Sequence, residues 1–142
     1  MKGGERRYIV AKEFILCVDD DRTILMSLKA QLRHLFGTAY CYEVAQSAAE
    51  AWEIINEIYE DGDSISIIIS DWLMPEVKGD EFLIGVHQKY PKIVKIMLTG
   101  QADPEAVKRT EEQANLTCCL SKPWSMADLK AAIPGTDIRK IS

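Results

Sequence analysis

"SIIISDWLMP", residues 66–75, decides how the chain folds. Ile67, Ile68 and Ile69 are consecutive and β-branched, a run that suits a strand buried on both faces. The run stops at Ser70-Asp71, and Pro75 marks the loop that follows. A carboxylate at the end of a buried strand is costly unless an opposite charge answers it. In an open parallel sheet, that strand end is also where ligands bind. Asp71 is therefore a candidate site residue, and its partner lies elsewhere in the chain.

Working outward, apolar runs alternate with amphipathic segments. Strands are predicted at 14–18, 40–45, 65–70, 93–98 and 116–121. Helices are predicted at 22–36, 47–60, 80–89, 103–114 and 125–133. Ile24, Leu28, Leu32 and Leu35 recur at helical spacing in the first helix. Ser47 with Glu50, and Ser125 with Asp128, have capping-box spacing. Asp103 followed by Pro104 is a strong helix start. Five strands alternating with five helices predict an α/β fold with a parallel sheet covered on both faces. One domain is expected over 12–133, with an N-terminal extension at 1–11 and a tail or the start of a linker at 134–142.

The net charge is −5, with no lysine- or arginine-rich run, which argues against nucleic acid or an anionic membrane as partner. The apolar stretches are strand-sized, so no transmembrane helix is expected. The N-terminus has charges but no apolar core, unlike a secretory signal. A cytoplasmic location follows as an expectation. Cys17, Cys41, Cys118 and Cys119 lack metal-site spacing and read as reduced thiols.

The strand ends share a polar character. The first is followed by Asp19-Asp20-Asp21, the third ends at Asp71, the fourth at Thr99-Gly100 and the fifth at Ser121-Lys122-Pro123. If these strands are neighbours, three or more carboxylates, a hydroxyl and an ammonium meet in one site. Clustered carboxylates repel and take up protons unless a cation holds them ionised. A hard divalent ion with oxygen ligands, Mg²⁺ above all, fits such a set. With Lys122 and Thr99 placed to bind phosphoryl oxygens, the constellation suits phosphoryl transfer. Asp21 reads first as the N-cap of the first helix.

These segments resemble the receiver domain of bacterial response regulators. "ILCVDDD" is similar to that family's acidic first-strand motif, "IIISDWLMPEVKGDEFL" to its phosphoacceptor motif, "KIMLTG" to its Thr motif and "LSKPW" to its Lys-Pro motif. The resemblance implies a flavodoxin-like doubly wound (βα)5 three-layer sandwich with strand order 2-1-3-4-5. It implies Asp71 as phosphoacceptor, Lys122 and Thr99 as phosphoryl-binding residues, and Asp19, Asp20, Asp71 and the Leu73 backbone carbonyl around Mg²⁺. It further implies a cis bond before Pro123, and residues Leu73 and Gln101 as determinants of phosphoryl lifetime. The partners implied are a histidine kinase or histidine phosphotransfer protein, and an output domain or protein at the face of the fourth helix, fifth strand and fifth helix. Such a domain is a phosphorelay switch rather than a turnover enzyme, and a monomer or weak dimer.

One departure stands out. The family often has an aromatic residue three positions before the lysine, and here that residue is Cys119. An alternative activity is a haloacid-dehalogenase-like phosphohydrolase using Asp19 and Asp21, which would leave the Asp71 motif without a role.

Overall fold

The computed structural model describes residues 10–100 and 103–134. Most of the N-terminal extension, Gln101 and all but the first residue of the expected tail lie outside the described residues. Five strands, β1 (Glu13–Val18), β2 (Cys41–Ala45), β3 (Ser64–Asp71), β4 (Val94–Thr99) and β5 (Cys118–Ser121), form one parallel sheet in the order β2-β1-β3-β4-β5. Five helices alternate with them: α1 (Arg22–Phe36), α2 (Ala48–Glu60), α3 (Gly79–Lys89), α4 (Pro104–Ala114) and α5 (Met126–Ala132). This is the parallel sheet covered on both faces expected from the alternation, in the doubly wound strand order that the resemblance implies.

The side-chain period of a strand sorts the core into two layers. Leu16, Val18, Ile68 and Met97 pack with Ala51 and Ile55 of α2 and Phe82, Leu83 and Val86 of α3. Ile15, Cys17, Ile67, Ile69, Ile96 and Leu98 pack with Leu25, Leu28 and Leu32 of α1 and Leu129 of α5. The isoleucine run of β3 thus feeds both layers, which is why it reads as continuous rather than alternating. Among the described residues, no helix is long and apolar enough to cross a membrane.

Three local expectations change. The buried stripe of α1 is Leu25, Leu28, Leu32 and Phe36, and Ile24 and Leu35 lie at its margins. Several apolar residues crowd this helix, so two stripes fit helical spacing, and packing on the sheet selects between them. At α2, Ser47 accepts from the Glu50 amide, but the Glu50 carboxylate takes the Gln46 amide instead of closing a box on Ser47. The box does close at α5, where Ser125 and Asp128 bond reciprocally. Finally, β5 begins at Cys118, not 116.

Candidate functional site

Strand order reverses around β1, which has β2 on one side and β3 on the other. The register pairs Val18 with Ser70, so the residues that follow, Asp19 and Asp71, emerge side by side at the carboxyl ends. Asp71 pairs with Leu98, and Thr99 with Ser121, which brings the ends of β4 and β5 to the same edge. The sequence-predicted groups therefore meet.

Asp19, Asp20 and Asp71 each have a carboxylate oxygen within 4.8 Å of the others. Asp19 and Asp71 are buried, while Asp20 is exposed. The Lys122 ammonium lies 2.9 Å from Asp19 Oδ2 and 3.1 Å from Asp71 Oδ1. It is the positive charge that the carboxylate at the end of the isoleucine strand requires. The peptide bond between Lys122 and Pro123 is cis, as expected. The other Asp19 oxygen accepts from the Asp21 amide at 2.8 Å. Asp21 turns its side chain to the amides of Thr23 and Ile24 and caps α1. An Asp19/Asp21 nucleophile pair is accordingly not assembled, because Asp21 is spent on the helix.

Burial pushes the Asp71 carboxyl above its ordinary value, Lys122 pulls it down, and the Asp19 charge pushes it up again. Burial alone would lower Lys122, yet hydrogen bonds and charge from Asp19 and Asp71 hold it above its ordinary value. The cluster is acidic beyond what one lysine neutralises. Its donors are hard oxygens, which suit a small divalent cation. A pocket of about 530 Å³ opens over the acceptor candidate, lined by Asp71, Trp72, Leu73, Thr99, Gly100 and Lys122. The Thr99 hydroxyl is buried beside it without a hydrogen-bond partner. Leu73 is 61% exposed.

The loop after Asp71 is held tightly. The Gly79 amide donates to the Trp72 carbonyl at 2.8 Å, and a Cβ on Gly79 would fall 2.0 Å from the Asp71 carbonyl oxygen. Only glycine permits that approach.

The sequence matches the response regulator receiver domain over residues 15–134. The chain belongs to this family. As a receiver domain it is a signalling module of two-component systems, and receiver domains bind Mg²⁺ at an aspartate cluster of the kind seen here. Its fold matches the signal receiver domain of an HD domain-containing protein from Pseudomonas fluorescens, with a TM-score of 0.76 at 26% identity, covering 92% of this chain and 99% of that one. A chemotaxis protein CheY homolog from Campylobacter jejuni is 29% identical over 82% of this chain and 85% of its own length. The sensor kinase CckA of Brucella abortus is 29% identical over 84% of this chain, which spans 12% of the length of that kinase.

Sequence reading missed two parts of this receiver's site region, and a buried lysine at the opposite end of the sheet. Trp124 donates its indole N–H to Gln31 of α1 at 2.7 Å, bracing the segment that carries Lys122. Asp80, beside Gly79, is buried and paired with Arg109 of α4. Lys95 is wholly buried and donates to the Ile93 carbonyl at 2.5 Å. Nothing in the linear pattern marks these, since an acidic first turn and a lysine between apolar residues are ordinary.

Proposed function

We propose that this receiver domain accepts a phosphoryl group on Asp71 from a phosphohistidine of a histidine kinase or histidine phosphotransfer protein. The observation that carries the reading is the Lys122 ammonium set between Asp19 and Asp71 inside an acidic cluster at the strand ends. A carboxylate oxygen of Asp71 attacks phosphorus, a P–O bond forms as the P–N bond breaks, and the departing imidazole keeps the electron pair and takes up a proton. Lys122 and the free hydroxyl of Thr99 then bind phosphoryl oxygens, which favours the charge developing there. Asp19, Asp20, Asp71 and the Leu73 carbonyl would hold Mg²⁺, which when bound offsets the charge of the carboxylates and of the phosphoryl oxygens.

The acyl phosphate biases the position of α4, β5 and α5, the face offered to an output domain or partner protein. Coupling of this kind is typically about 1–3 kcal/mol. The domain acts in the cytoplasm, as a switch and not through turnover of a substrate. The test is labelling with acetyl phosphate and Mg²⁺, read by intact-protein mass spectrometry. The parent and Asp21→Asn should gain one phosphoryl group, and Asp71→Asn should gain none. An adduct persisting in the Asp71 variant would reject the assignment.

A further inference from the structure

The helix α4 is polar and shallowly seated. Within it only Thr110 and Ala114 are buried, both in its second half, and Val107 is partly covered. Little apolar area therefore fixes its first half, so polar contacts there carry unusual weight. One such contact is the ion pair of Arg109 with Asp80. The Asp80 side chain is 5% exposed, and its Oδ1 is buried without a hydrogen-bond partner. Arg109 is the cation that answers this carboxylate, and removing one partner of such a pair leaves an uncompensated buried charge.

Asp80 is rigidly connected to the acceptor. It follows Gly79, which is pressed against the Asp71 carbonyl and bonded to the Trp72 carbonyl. Among the described residues, a side-chain link thus leads from the acceptor loop to α4, through Gly79 and Asp80 to Arg109. Beside it lies a pocket of about 360 Å³, lined by residues that include Trp72, Asp80, Ala106 and Arg109. The Trp72 indole N–H is buried without a partner. The first half of α4 therefore has open space beside it, and an ion pair spans from α3 to α4 there.

We infer that Asp80 and Arg109 are positioning residues that tie α4 to the acceptor loop and carry the effect of Asp71 phosphorylation to that helix. This rests on Asp71 being the acceptor, and it assigns the coupling to a pair that touches neither phosphoryl group nor metal. Cys119 is half-buried and has no ring to swing.

The test uses the full 142-residue chain, labelled with acetyl phosphate and Mg²⁺. Adduct formation is read by mass spectrometry, and backbone hydrogen exchange over 104–114 is read with and without the phosphoryl group. In the parent, labelling should change exchange in α4. Arg109→Gln should label to the parent's extent, exchange faster in α4 by about five-fold or more before labelling, and lose the labelling-dependent change. Arg109→Lys, which keeps the charge, should retain that change. Should Arg109→Gln not fold, Asp80→Leu combined with Arg109→Met replaces the pair by apolar groups, a tolerated exchange, and should also lose the response. A response of parental size in either uncoupled variant overturns the inference, including when α4 is merely loosened. So does a labelled parent in which α4 does not respond. Absence of an adduct in the parent is a different result, and rejects the acceptor reading itself.

Discussion

At the scale of single residues, the site depends on a carboxylate kept in an unfavourable place by a few close contacts. Asp71 is buried at a strand end, with Lys122 on one side and the Asp19 charge on the other. Gly79 lets the following helix start close against it. Gly79→Ala must displace the Asp71 carbonyl, because backbone atoms, not a flexible side chain, occupy the space. We expect a loss of about 1–3 kcal/mol, as for overpacking, together with slower acetyl phosphate labelling. Denaturant unfolding and the labelling rate check this, and a variant matching the parent in both would show that the approach is not needed. Cys119 contrasts with these residues. Burial pushes its thiol up to about 11, which keeps it protonated at neutral pH. It packs against the core layer of α2 and α3.

At the scale of elements, the helix ends were largely legible because capping is local. Asp103 accepts from the Glu105 amide, Pro104 occupies the first turn, and Asn115 closes α4 in the left-handed region. The first two follow from residue type and spacing alone. Asp103→Ala should therefore cost about 1 kcal/mol, the usual value of an N-cap, while the extent of Asp71 labelling stays as in the parent. The two measurements separate helix stability from phosphoryl chemistry, and a lost adduct in this variant would place Asp103 nearer the chemistry than its cap geometry does. Helix faces were less legible than helix ends. The stripe of α1 turned out to be Leu25, Leu28, Leu32 and Phe36, because the sheet chooses which of two apolar stripes to cover. The same holds for Lys95, which lies among apolar residues of β4 and is buried only because the backbone carbonyls of Pro91 and Ile93 turn to receive its ammonium.

At the scale of the whole molecule, the strand order sets both the site and its electrostatic cost. The raised Asp71 carboxyl means that the folded protein favours the protonated form more than the unfolded chain does. The stability gained from that preference is complete below the ordinary carboxylate range and is lost as pH rises through the folded value. At neutral pH without divalent cation, ionised Asp71 therefore opposes folding. Asp71→Asn should melt higher than the parent at pH 7 in a chelator, and the gap should close as pH falls through the carboxylate range. A gap that widens in acid would reverse the sign of this reasoning. The sequence by itself determined the alternation of strands and helices, the buried character of β3 and the gathering of acids, hydroxyl and lysine at strand ends. These are recorded in residue type and period, which local sterics and burial translate directly. Only the tertiary structure decided that Lys122 reaches both Asp19 and Asp71, and that Asp80 meets Arg109 across two helices. Those outcomes depend on register and on distances between residues far apart in the chain, and neither is written in any one segment.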